Sequence, residues 1–123
     1  YAGVGTLGIE ALSRGASSLT MVEKNKLVFR VLEENINMIG AGSVVRLECK
    51  DVDFFLKNEN DTYDVIFADP PYSMSNYEDL RGKVKCLLNP NGVFCMEMKK
   101  TSINNEGVRL KTFGNKQVAI WRK

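Results

Sequence analysis

Between Thr6 and Met98, segments with apolar residues at helical spacing alternate with short apolar runs of strand length, and no linker or internal repeat interrupts them. This alternation constrains the fold most. Parallel neighbours need helical crossovers, so the chain is read as an α/β fold: a mainly parallel sheet with helices on both faces. A helix is predicted from Thr6 to Arg14, with Leu7, Ala11 and Leu12 on one side and Gly15 as its stop. Leu19–Glu23 reads as a strand. Asn25 then caps a longer helix that buries Leu27, Val28, Val31, Leu32, Ile36 and Ile39 and ends at Gly40 and Gly42. Val44–Cys49 is the next strand, Val52, Phe55 and Leu56 suit a brief helix, and Tyr63–Ala68 is apolar enough for a parallel strand buried on both faces. A helix from Asn76 or Asp79 to Leu88, a turn at Asn89-Pro90-Asn91-Gly92 and a strand Val93–Met98 follow. Val108–Phe113 and Gln117–Trp121 flank Gly114-Asn115 as a closing antiparallel hairpin. The stretch from Lys99 to Gly107 is too short for an ordinary crossover helix, and a single turn or none is expected there.

At 123 residues the chain is long enough for one buried core and too short for two, so residues 1–123 are read as a single domain. Histidine is absent, which excludes imidazole bases, Ser-His-Asp and Cys-His nucleophiles and His-held zinc. Cys49, Cys86 and Cys95 form no C-x-x-C pair and leave an odd count, so neither a disulfide framework nor a thiolate metal site is indicated. A reducing, cytoplasmic setting is the simpler reading. No apolar run has the length of a membrane span, and no membrane partner is expected. Residues 1–82 carry 8 basic and 13 acidic side chains and residues 83–123 carry 9 and 2, so a net −5 is followed by a net +7. The basic last third favours a polyanionic partner such as nucleic acid, although such a skew also fits an ordinary solvated surface.

Gly3-Val4-Gly5-Thr6-Leu7-Gly8 matches G-x-G-x-x-G, in which missing side chains permit a tight turn and let a ligand approach the backbone at a helix start. Glu23 follows at the carboxyl end of the next strand, where an acidic side chain accepts hydrogen bonds from both hydroxyls of a ribose. Together they indicate an adenosine-type ligand over the switch point of the sheet. Such a turn is normally fed by a strand, yet only Tyr1 and Ala2 stand before Gly3. The expectation is that the first, central strand is missing from this chain. Strands 19–23 and 63–68 would then not pair with each other.

Asp69-Pro70-Pro71-Tyr72 follows directly on the most apolar strand and so stands at that strand's carboxyl end, the ligand side of an open parallel sheet. Proline has no N–H. The Pro70 carbonyl is therefore left to accept from an external amine while Asp69 accepts a second hydrogen bond. Tyr72 supplies a flat face for a planar base. An amine conjugated to a base ring is a poor nucleophile, and two acceptors on its hydrogens favour a more pyramidal, electron-rich nitrogen. This is the chemistry of amino-group methylation.

The run from Tyr1 to Ala16, Met21-Val22-Glu23-Lys24 and Asp69-Pro70-Pro71-Tyr72 together resemble the RsmD family of bacterial S-adenosylmethionine-dependent methyltransferases, over most of the chain. The resemblance implies a Rossmann-like methyltransferase fold with strand order 3-2-1-4-5-7-6. It also implies methyl transfer to the exocyclic N2 amine of a guanine in small-subunit ribosomal RNA, free or in an assembly particle. Ala2, Gly3 and Gly5 would hold the methionine end of the cofactor and Glu23 its ribose. Asp51 with the backbone of Val52 would face the adenine, and Lys24 would lay its stem beside that ring. Asp69, Pro70 and Tyr72 would be the catalytic set, Asp69 also bordering the cofactor, with Pro71 and Tyr72 against the substrate base. No metal is required.

Three other readings are open to the same sequence. An adenine N6 methyltransferase acting on DNA uses the same Asp-Pro-Pro-Tyr logic on a flipped base. A nicotinamide-dependent dehydrogenase explains the glycines and Glu23 but gives residues 69–72 no role. A non-catalytic fragment that binds RNA would rely on Lys83, Lys85, Lys99, Lys100, Arg109, Lys111 and Lys116 for phosphate contact.

Overall fold

A computed structural model describes residues 1–71, 73, 76–103 and 107–123. Two compact units divide the chain, Tyr1–Asn58 and Glu59–Lys123. The strands fall into two sheets.

In the first unit the glycine turn leads into α1 (Thr6–Ser13), and β1 (Leu19–Val22), α2 (Lys26–Met38), β2 (Val45–Glu48) and α3 (Val52–Asn58) follow. β1 and β2 pair in parallel, from Leu19 opposite Val45 to Val22 opposite Glu48. Asn25 caps α2 as expected, its side-chain oxygen accepting from the amides of Leu27 and Val28 at 3.0 and 3.1 Å. The core is Met21, Leu32 and Ile36, packed by Ala2, Ile9, Leu19, Phe29, Ala41, Val45 and Leu47. The buried stripe of α2 is narrower than the sequence suggests: Leu27, Val31 and Ile39 are exposed. Only the side carrying Phe29, Leu32 and Ile36 has a packing partner, and helical spacing alone does not say which apolar residues find one.

The second unit holds β3 (Tyr63–Ala68), α4 (Tyr77–Lys85), β4 (Leu88–Lys99), β5 (Val108–Phe113) and β6 (Lys116–Arg122). The sheet order is β3-β4-β6-β5, with β3 parallel to β4 and the other two pairs antiparallel. Both orders agree with the expected methyltransferase arrangement, and β1 and β3 lie in separate sheets. The turn expected at Asn89–Gly92 is absorbed into β4: between Tyr63 opposite Leu88 and Val65 opposite Val93 the register shifts, and Asn91 takes φ 65°. It is a bulge inside a longer strand and not a separator in front of one. None of the described residues between Lys99 and Gly107 is helical.

One face of this sheet carries Phe94, Met96, Met98, Ala119 and Trp121, all buried, as are Leu80 and Val84 of α4. The Phe94 and Trp121 rings stack at 5.4 Å, and the Arg81 guanidinium lies 5.2 Å from the Trp121 ring centre. β3, expected to be buried on both faces, stands at the end of its sheet with Val65 49% and Phe67 45% exposed. Among the described residues only β4 pairs with it, so its apolar sequence exceeds the burial it obtains. No helix of the described residues is long and apolar enough to cross a membrane.

Candidate functional site

The glycine turn is built by backbone geometry that side chains would spoil. Gly3 and Gly5 take φ 59° and 95°, in the left-handed region that L residues avoid. A Cβ on Gly5 would lie 2.6 Å from Cδ1 of Leu32, so this position serves the close approach of the turn to α2. Gly3 has nothing within 4 Å of where its Cβ would be, and its bareness leaves open space. The Ala2 and Tyr1 amines both donate to the Val22 carbonyl at 2.9 Å, holding the turn against the end of β1.

Glu23 joins the turn to the strand end. Its Oε1 accepts from the Gly3 amide at 2.9 Å and its Oε2 from the Asn25 amide at 2.8 Å. Each carboxylate oxygen has room for a second donor, so a vicinal diol can be bound by a group whose orientation is already fixed. Beyond β2, the Asp51 Oδ1 accepts from the amides of Asp53 and Phe54 at 2.9 and 3.4 Å. The Phe54 amide first, and Lys24 among the lesser contributors, hold the Asp51 carboxyl below its usual range. The Val52 amide has no acceptor among the described residues. The Lys24 ammonium stands 3.6 Å from Asp51. Ala2, Gly3, Gly5 and Glu23 thus form one group and Lys24, Asp51 and Val52 a second, all in the first unit.

In the second unit Asp69 follows the last residue of β3, where Ala68 lies opposite Met96. The register carries on to set Asp69 beside Glu97, at the carboxyl ends of neighbouring parallel strands and on one face. Desolvation first, then the Glu97 carboxylate, raises the proton affinity of Asp69, with the Lys116 ammonium opposing. Lys116 itself pairs with Glu97 at 3.4 Å. Among the described residues nothing donates to the Asp69 carboxylate or the Pro70 carbonyl, two acceptors on consecutive residues. Pro70 is buried and Pro71 exposed. Tyr72 lies outside the described residues. Burial pushes the Cys95 thiol up, which keeps it from acting as a thiolate. Glu97 escaped the sequence reading, since its place beside Asp69 is a matter of β3–β4 register. No group of acids and cysteines that could hold a metal occurs among the described residues.

The first unit offers acceptors for a diol and the second acceptors for an amine. The family model described as Conserved hypothetical protein 95 matches residues 1–122. Ribosomal RNA small subunit methyltransferase D of Buchnera aphidicola is 40% identical over 72 residues, 58% of this chain and 38% of that protein. The protein of the same name from Haemophilus influenzae is 32% identical over 106 residues, 81% of this chain and 54% of that one. A solved structure of a conserved hypothetical protein from Streptococcus pyogenes superposes with a TM-score of 0.91 at 26% identity, over 100% of this chain and 82% of that one. The chain spans about half, or less, of the length of these curated relatives. By its sequence and by its fold, the chain belongs to the Conserved hypothetical protein 95 family, the RsmD-like methyltransferases.

Proposed function

We propose that this protein transfers a methyl group from S-adenosylmethionine to the exocyclic N2 amine of a guanine in small-subunit ribosomal RNA, free or in an assembly particle, in the cytoplasm. The observation that carries the reading is the placement of two acceptors, the Asp69 carboxylate and the Pro70 carbonyl, with no donor among the described residues, at the carboxyl end of β3. The named relatives support the RNA class of the substrate.

The residues of the first unit fit the cofactor. Gly3 leaves space where a side chain would block approach, and Ala2, Gly3 and Gly5, whose amides are taken up by Val22, Glu23 and Ala2, would shape the turn around its methionine end. Glu23, oriented by two amides, takes the ribose hydroxyls. Asp51 and the Val52 amide meet the adenine edge, with the Lys24 stem beside the ring. S-adenosylmethionine supplies the methyl group and, with its sulfonium, the leaving group.

The residues of the second unit do the rest. The Asp69 carboxylate and the Pro70 carbonyl accept hydrogen bonds from the two amine N–H groups, which orients the nitrogen lone pair and makes it more available. In this reading Asp69 takes the proton released when the nitrogen is methylated. Its raised proton affinity suits that task. Pro71 and Tyr72 hold the base, Tyr72 by its ring.

Replacing the target guanine with inosine, which differs by the missing N2 amine, tests the choice of atom. Labelled methyl is expected to pass to guanine-containing RNA and not to the inosine counterpart. Transfer to inosine RNA would remove N2 as the acceptor, and transfer only to adenine in DNA would establish the other amine.

A further inference from the structure

The β5–β6 hairpin extends the sheet face that carries Glu97 outward to the edge strand, where Arg109, Lys111 and Phe113 have no part in the sheet core or the proposed reaction. β5 ends the sheet order and is exposed from Arg109 to Phe113. The register sets Arg109 opposite Ile120, Lys111 opposite Val118 and Phe113 opposite Lys116, while Lys99 of β4 lies opposite Lys116. Side chains alternate along a strand, so Arg109, Lys111 and Phe113 share one face with Lys116 and Lys99. Successive residues of that row are about 7 Å apart, close to the interval between phosphates of an extended nucleic-acid strand. From Lys99 to Lys123 the described residues include seven cations and no acid, and the sequence adds one acid, Glu106.

Two details separate this face from a merely soluble edge. Arg109 and Lys111 form no ion pair with any described residue, whereas Lys116 is held by Glu97. Phe113, 63% exposed, ends the cationic row beside the tight Gly114-Asn115 turn. An edge strand needs charge to discourage self-pairing, but an exposed phenylalanine works against that purpose. Cations in a line ending on an open aromatic ring fit a strand that offers phosphates and then a base.

We propose that the Arg109–Lys111–Phe113 face of the hairpin docks a single-stranded segment of the substrate RNA, with phosphates on Arg109 and Lys111 and one base stacked on Phe113. This rests on the reading of the protein as an RNA methyltransferase.

Affinity for a labelled single-stranded RNA oligomer, measured by fluorescence anisotropy across a salt series, tests it alongside calorimetric S-adenosylmethionine binding. Arg109→Ala with Lys111→Ala is expected to make the slope of log affinity against log salt shallower by about 1.4, two contacts at about 0.7 each. Phe113→Ala is expected to lower affinity about fivefold to a hundredfold at every salt without changing the slope, and Phe113→Tyr to restore it. Cofactor affinity is expected to stay unchanged in all three. An unchanged slope in the double variant, no RNA binding by the unsubstituted protein, or losses confined to polyglutamate or anionic vesicles would each overturn the proposal. If the RNA effects appear but neither cofactor binding nor methyl transfer is found, the hairpin surface stands and the methyltransferase reading fails.

Discussion

Asp69 is a carboxyl whose folded environment favours its proton, through desolvation and the neighbouring Glu97. A raised folded-state value means a stability contribution fully present below the unfolded value and lost as pH rises through the folded one. Asp69 is exposed, so solvent screening leaves its ionised form only a small destabilisation of the fold at neutral pH. Asp69→Asn is expected to raise the neutral-pH Tm, with the gain vanishing in acid, while methyl transfer is abolished and S-adenosylmethionine affinity stays within a few-fold. A gain over the unsubstituted protein no larger at neutral pH than in acid would show that the carboxylate is not under this pressure. Glu97→Gln removes the second cause of the shift, so Asp69 would give up its proton at lower pH. The acid limb of the kcat/KM profile, which reports ionisation of Asp69 as acceptor, is expected to move towards acid. A limb that stays in place would sever the link between the two residues. Asp69 was readable because the Pro-Pro step follows an apolar run whose end fixes its place. Glu97 was not, because its neighbour lies 28 positions away along the chain and only the β3–β4 register brings them together.

At the scale of elements, the glycine turn and α1 show how one motif serves two purposes. Gly5 is the N-cap of α1 and is needed by the fold, since an alanine there meets Leu32 and an unfavourable φ together. Gly5→Ala is expected to destabilise by about 2 kcal/mol or more, combining about 1–2 for the left-handed backbone with an overpacking term. Gly3→Ala suffers only the backbone part, about 1–2 kcal/mol, because the space around it is open. Its larger effect is expected on cofactor affinity, measured by calorimetry. Equal losses of affinity and stability in both variants would deny Gly3 a separate role. Elements with local signals were legible: Asn25 caps α2, and β3 has the bounds that the apolar run gives it. Where the outcome depended on distant packing, the local pattern misled, as with Val31 of α2, left without cover, and with Asn89–Gly92, whose turn residues became a bulge because β4 continues through them.

Across the whole molecule the two ends of the four-stranded sheet are protected unequally. β5 carries Arg109 and Lys111, charges that discourage another strand from pairing there. β3 carries Val65 and Phe67, half exposed on one face, with Asp64 as the strand's only charge. The sequence reading expected that apolar run to be enclosed, and no property of the run itself reveals which neighbours it has; this is a matter of sheet order. An exposed apolar strand at the end of a sheet pairs readily with a copy of itself. The chain of residues 1–123 is therefore expected to self-associate with rising concentration in size-exclusion chromatography with light scattering. Val65→Lys places a charge on that strand without entering the Phe94–Trp121 core, which lies on the other face. It is expected to shift the distribution towards monomer with little change in Tm, whereas the same substitution at Arg109 of β5 is expected to leave the distribution as it was. If Val65→Lys leaves association unchanged, the exposed β3 face is not what brings copies together, and the contact must be sought on another apolar surface such as Leu27 and Val31 of α2.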